Sequence, residues 1–273
     1  VIGVTGGASA GRSGSPAEPF IAIEQTTKVY ATKDGPVHAL GPVDLTVRRG
    51  EFLAIVGPSG CGKSTLLLLV AGLLAPSAGR IVVAGIEVRG PQTEVGIVFQ
   101  TPALADWRDV LGNVLLQAEM RRVRVSDYAE RAHHLLASVG LAGFERRYPF
   151  ELSGGMQQRT AFCRALLHDP PLVLMDEPLG ALDALTRDQL RTDLERLWLE
   201  TGKTVLFITH SITESVQLAD RVVVMSPRPG VLAREVPIDL PRPRSLEVRE
   251  SATFARYVHQ ITEVFWAQGV LSR

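Results

Sequence analysis

An α/β fold built around a parallel sheet is predicted by three features of the sequence. Four short runs, Phe52 to Val56, Leu172 to Met175, Thr204 to Thr209 and Arg221 to Met225, are mostly apolar and rich in β-formers, as strands buried on both faces must be. Segments with room for helices lie between them, the alternation that generates parallel sheets. The first run leads straight into a glycine-rich turn and an apolar helix.

The elements follow in order. Residues 1–19 are rich in Gly, Ser and Ala and read as a flexible tail. Ile21-Ala22-Ile23 and Lys28-Val29-Tyr30 are short β-like runs, and Val43 to Val47 alternates like a half-buried strand. Leu66 to Leu74 reads as a helix. A mainly helical insert, residues 102–167, separates the halves of the sheet. Within it Tyr128, Ala132, Leu135, Leu136 and Val139 recur at helical spacing and stop at Gly140. Leu240-Pro241-Arg242-Pro243-Arg244 breaks regular structure. Phe254, Tyr257, Val258, Ile261 and Phe265 then line one face of a terminal helix expected to pack back on the core. The expected organisation is a tail (1–19), a main domain (20–240) and a helical extension (241–273).

Composition narrows the function. Of 273 residues 45% are hydrophobic and 21% charged, and 29 basic residues balance 29 acidic ones. No long-range field gathers nucleic acid, so no nucleic-acid partner is expected. Two cysteines, Cys61 and Cys163, are too few for a disulfide framework and fit a reducing cytosol. The longest apolar run, Leu66 to Ala75, is far shorter than the ~20 residues that span a bilayer. The N-terminal residues lack the charged-then-apolar order of a signal peptide.

Gly57-Pro58-Ser59-Gly60-Cys61-Gly62-Lys63-Ser64, followed by Thr65, matches the phosphate-loop pattern between a strand and a helix. The glycines let backbone amides approach phosphate oxygens. Lys63 supplies charge to the β- and γ-phosphates, and the Ser64 hydroxyl suits Mg²⁺. A second segment, Gly6 to Ser13, has the glycine spacing but Arg12 in place of Lys, and Pro16 stops any following helix. Without a helix N-terminus to present amides it is expected to be inert.

Leu152-Ser153-Gly154-Gly155-Met156-Gln157-Gln158-Arg159 resembles the signature of ABC transporter ATPases. Ser153 and two glycines at a helix start offer amides and a hydroxyl to an anion, although a plain helix cap would account for Ser153 by itself. Leu172-Val173-Leu174-Met175-Asp176-Glu177-Pro178 is similar to the family's Walker B strand. An apolar strand delivers Asp176 toward Mg²⁺ and Glu177 one residue further out, as general base. The collinear order of the smaller matches adds to the resemblance. It implies that Gln100 reaches Mg²⁺ and the attacking water, that His210 contacts the γ-phosphate, that Asp183 lies in the loop crossing the dimer interface, and that Tyr30 stacks on adenine. In that family two domains pair head to tail, so that Ser153, Gly154, Gly155 and Gln157 of one cover the ATP of the other. His38, His133, His134, His168 and His259 show no metal-ligand spacing.

The resemblance covers residues 21–240 and implies a RecA-like P-loop core, an antiparallel β subdomain and a helical signature subdomain. It also implies ATP and Mg²⁺ as ligands, a homodimer, transmembrane permease subunits, indirectly a solute-binding protein, and a peripheral place on the cytoplasmic membrane face. Leu104-Ala105-Asp106-Trp107-Arg108, Leu179 to Asp183, Met225 to Gly230 and Leu240 to Arg244 are most similar to importers of the nitrate, sulfonate and taurine type. Asp106 stands where that branch usually has Pro, and pyrimidine-precursor importers share much of the pattern. A soluble ABC ATPase and a small-molecule kinase are the other readings. Thr101 to Val114 is expected to meet the permease by exposing Leu104, Trp107 and Val110.

Overall fold

The computed structural model describes residues 19–271. The expectations for the tail and for the Gly6–Ser13 segment lie outside the described residues, apart from Pro19. The chain forms β1 (Ile21–Thr32), β2 (Gly35–Val47), β3 (Phe52–Val56), α1 (Lys63–Val70), β4 (Ala78–Val83), β5 (Ile86–Glu87), β6 (Val95–Val98), α2 (Val110–Met120), α3 (Ser126–Ser138), α4 (Gly154–Leu166), β7 (Leu172–Asp176), α5 (Ala184–Thr201), β8 (Thr204–Thr209), α6 (Ile212–Leu218), β9 (Arg221–Met225), β10 (Leu232–Pro237) and α7 (Ala252–Ala267).

Six strands make the main sheet in the order β10-β9-β3-β8-β7-β6, parallel except for β10. Four make an antiparallel sheet, β2-β1-β4-β5. The predicted α/β class therefore holds. Burial on both faces of β3 follows from side-chain alternation. Leu53 and Ile55 join α1 and the antiparallel sheet in one apolar cluster. Phe52, Ala54 and Val56 join the helices in the other. The terminal helix packs as expected, with Phe254, Ile261 and Phe265 buried in that second cluster.

Several boundaries differ from the sequence reading. The two runs 21–23 and 28–30 belong to one strand, interrupted by pairing shifts near Gln25, whose φ is +44°. The helix expected over Leu66–Leu74 begins at Lys63, because Gly62 turns the loop directly into its first turn. It ends at Val70, and Gly72 takes φ +70° where a Cβ would lie 1.9 Å from the Gly90 carbonyl oxygen. β4, β5, β6 and β10 carry no clear alternation and were not anticipated.

Candidate active site

The phosphate loop is shaped by close contacts. A Cβ on Gly57 would meet Cys61 Sγ at 2.8 Å, and one on Gly62 (φ +102°) would meet the Ala39 carbonyl oxygen at 2.8 Å. No side chain caps α1, so its first amides, Lys63, Ser64 and Thr65, lack intrahelical partners and favour an anion. Lys63 folds back over the loop. Its ammonium donates to the carbonyls of Gly57 (2.9 Å) and Pro58 (3.1 Å) and lies 4.0 Å from Glu177 Oε1. Cys61 is buried, which raises its thiol pKa despite the opposing charge of Lys63. Its contribution to the loop is backbone.

A cleft of about 330 Å³ opens above this loop. It is lined by the phosphate-loop stretch from Ser59 to Thr65 other than Cys61, by Glu177, and by Tyr30, Val37, Ala39 and Arg228. The Tyr30 hydroxyl is 3.3 Å from Thr65 Oγ1, and Lys28 Nζ sits 5.3 Å from the ring centroid. The ring thus has a cation near its face and borders the cleft. Val37, Ala39 and Arg228 were not anticipated as cleft residues.

The strand end β7 completes the site. Ser64 Oγ donates to Asp176 Oδ1 at 3.0 Å. Burial raises the Asp176 pKa, against the hydrogen bond from Ser64, while neighbouring Glu177 raises it further. A hydroxyl beside a desolvated carboxylate suits a small hard cation that keeps waters and phosphate oxygens as its other ligands. Among the described residues no cluster of three or more His, Cys, Asp and Glu offers an all-protein cage. Glu177 adopts φ +46°, an unfavourable backbone for a side chain of its size. It is fixed there by its N–H, which donates to the Ile208 carbonyl at 2.9 Å. With Glu177 ionised, His210 Nδ1–H donates to its Oε2 at 3.1 Å. Gln100 joins them: a Cβ on Gly180 would lie 3.2 Å from Gln100 Nε2 and 3.7 Å from His210 Cε1.

The signature segment stands apart. Ser153 caps α4, accepting from Met156 N–H at 3.3 Å, and Ser153 and Gly154 are exposed. A Cβ on Gly155 would come within 2.3 Å of Thr186 Cγ2, so α4 abuts the first turn of α5. Asp183 caps that turn through Thr186 N–H at 3.0 Å, and Thr186 holds its carboxyl below the usual range. Gln157 turns inward, donating to the Pro149 carbonyl at 2.8 Å. Ser153, Gly154, Gly155 and Gln157 do not line the Lys63 cleft of their own chain. Farther along, α4 grips the Gln100 segment from both sides, an arrangement the sequence reading missed. Gln158 donates to the Phe99 carbonyl at 3.1 Å, and Arg164 to those of Pro102 (2.7 Å) and Ala103 (2.8 Å).

The expectation that Val110 is exposed is corrected. Asp109 caps α2 by accepting from Gly112 N–H at 2.7 Å, and Val110, the first helical residue, is fully buried. Leu104 is half-buried, whereas Trp107 is 80% exposed. Buried Asn113 holds the intervening loop by accepting from Ala105 N–H and donating to the carbonyls of Ala105, Arg108 and Asp109.

Comparison with known proteins follows the same lines. The ABC transporter family profile matches residues 40–180. An uncharacterized ABC transporter ATP-binding protein of Methanocaldococcus jannaschii is 46% identical over 242 residues, 89% of this chain and 90% of that protein. A taurine import ATP-binding protein, TauB, of Jannaschia sp. is 46% identical over 241 residues, 85% of this chain and 88% of that protein. Among solved structures, a dimeric ATP-binding cassette in a post-hydrolysis state with ADP and Pi is 31% identical. It superposes with a TM-score of 0.70 over 81% of this chain and 100% of that one.

Proposed function

Because this chain belongs to the ABC transporter ATP-binding proteins, we propose that it is the ATPase subunit of an importer for a small sulfonate such as taurine. The observation that carries the chemical part is that Lys63, Ser64 and Glu177 line one cleft, with Ser64 bonded to Asp176 and Glu177 in contact with both Lys63 and His210. The name of the Jannaschia relative supports the solute class. Among the described residues no helix is long and apolar enough to cross a membrane, which accords with docking on permease subunits at the cytoplasmic face.

In this reading the loop amides and Lys63 hold the phosphates of ATP, with the backbone of Gly57, Pro58 and Cys61 shaping the loop. Tyr30 stacks on the base. Ser64 and Asp176 would hold Mg²⁺, with Gln100 as a further candidate ligand, and the ion when bound would neutralise charge on the β- and γ-phosphates. Glu177 accepts a proton from the attacking water, and His210 orients Glu177 and faces the γ-phosphate. A second copy, turned head to tail, supplies Ser153, Gly154 and Gly155 across the interface, with Gln157 bracing their loop and Asp183 crossing beside them. The exposure of Ser153 and Gly154 away from their own cleft supports that arrangement.

Trp107 is the anchor for the permease. A large exposed aromatic on a loop braced by Asn113 is the kind of residue that dominates an interface. In a complex reconstituted with permease and solute-binding protein, Trp107→Ala is expected to cut solute uptake about 10-fold or more. ATP hydrolysis by the isolated subunit should stay within about twofold, since Trp107 does not line the cleft. Uptake at the wild-type rate would remove Trp107 from coupling. The same complex tests the solute: uptake of a pyrimidine precursor but not of taurine would overturn the sulfonate assignment.

A further inference from the structure

The connection between β9 and β10 contributes a residue, Arg228, to the cleft above the phosphate loop. Ser226 pins its base, with Ser226 N–H donating to the Val231 carbonyl at 3.0 Å and Val231 N–H donating to Ser226 Oγ at 3.1 Å. Gly230 then pairs with β2: its N–H donates to the Ala39 carbonyl at 3.1 Å, and its carbonyl accepts from Gly41 N–H at 3.0 Å. Gly230 also presses on the phosphate loop so closely that a Cβ would lie 1.9 Å from the Cys61 carbonyl oxygen. The connection, the loop and β2 are therefore locked in one register.

Arg228 is carried into the cleft by this connection. Arg221 and Arg242 are engaged by Glu51 and by Glu195 and Asp220, respectively. Arg228 enters no ion pair among the described residues, and it is exposed. Its connection is bound to the stretch of β2 that brings Val37 and Ala39 to the same cleft as Tyr30. The carboxylate end, with Asp176, Glu177 and His210, is built from different strands. A planar guanidinium lining the same cleft as Tyr30, Val37 and Ala39 suits the π-face of a purine or a ribose hydroxyl.

We propose that Arg228 is a nucleotide-binding residue that contacts the nucleoside part of ATP in the subsite it shares with Tyr30. This rests on the reading of the cleft as an ATP site. It adds to that reading a determinant that separates a nucleoside triphosphate from a bare polyphosphate. Because the connection is held by backbone contacts and by the Ser226 hydroxyl, none involving the Arg228 side chain, truncating that side chain leaves the phosphate loop in place.

The test uses the purified chain with two probes, Mg-ATP and inorganic tripolyphosphate, in titration calorimetry, together with steady-state phosphate release. Arg228→Ala is expected to raise the Kd for ATP about three- to tenfold. The Kd for tripolyphosphate should stay within about twofold, and KM should rise while kcat is retained. Arg228→Lys should fall between, and Arg228→Ala with Tyr30→Ala should lose less than the sum of the single effects, because both side chains touch one group. Exposed Arg124, outside the cleft, is the control, and Arg124→Ala should match wild type. Unchanged ATP affinity in Arg228→Ala would overturn the proposal. So would an equal loss for tripolyphosphate, which would place Arg228 on the phosphates. Failure of the underlying reading is distinct: it would appear as normal binding of both probes by Lys63→Ala.

Discussion

Replacing Lys63 with Ala is expected to abolish ATP hydrolysis and to weaken nucleotide binding sharply. Its side chain is only 5% exposed, held by two carbonyls and by a carboxylate at 4.0 Å. An ammonium so desolvated and so incompletely paired gains strongly from phosphate oxygens brought beside it. Removing one preorganised group that faces developing charge costs about 10²–10³-fold in rate, and the loss of ground-state affinity adds to that. The substitution also takes the donor from the Gly57 and Pro58 carbonyls, so relaxation of the loop is a competing explanation. Lys63→Met separates the two, since it keeps most of the stem and its packing without the charge. Both variants should be inactive, with thermal unfolding showing that each remains folded. Phosphate release near the wild-type rate in Lys63→Met would mean that packing, not charge, is the role of Lys63.

Glu177→Gln should lower turnover by about 10²–10⁴-fold, the worth of a general base, while ATP binding persists or tightens. The amide keeps the reach of the carboxylate and can still meet His210, but it cannot take a proton from water. It also removes a negative charge beside the triphosphate, which favours the bound state. With hydrolysis blocked, ATP should stay trapped between Lys63 of one protomer and Ser153 of another, and a dimer should accumulate in size-exclusion chromatography with Mg-ATP. Asp176→Asn is expected to behave differently. It weakens the site that Asp176 shares with Ser64, so nucleotide binding falls together with turnover and no dimer builds up. A Glu177→Gln protein that hydrolyses ATP at the wild-type rate would exclude Glu177 as the base. One that is inactive and monomeric would mean that head-to-tail pairing needs the permease, and the dimer would then be sought in the full complex.

Much of this chain was legible without coordinates, for a local reason. The phosphate loop needs its amides, its glycines and Lys63 to be consecutive, and β7 needs Asp176 and Glu177 in succession at its end. Such groups are written as contiguous strings, and the doubly buried strands that carry them are written as apolar runs, so class and chemistry were both readable. The pairing of distant elements was not. β6 and β10 are strands because β7 and β9 lie beside them, and their own residues show no alternation to mark it. Val110 is inward and Trp107 outward because Asp109 starts a helix between them and Asn113 ties down the loop. The grip of Gln158 and Arg164 on the Gln100 segment spans about sixty residues. Arg228 reaches the cleft only because Gly230 can lie against Cys61. The parallel α/β class, the phosphate loop, the paired acids and the likeness to ABC ATPases could all be read from the order of residues, since each depends on neighbours along the chain. Tertiary structure alone decided which side chains share the cleft with them, because that depends on the close approach of backbones far apart in sequence, and no periodicity encodes it.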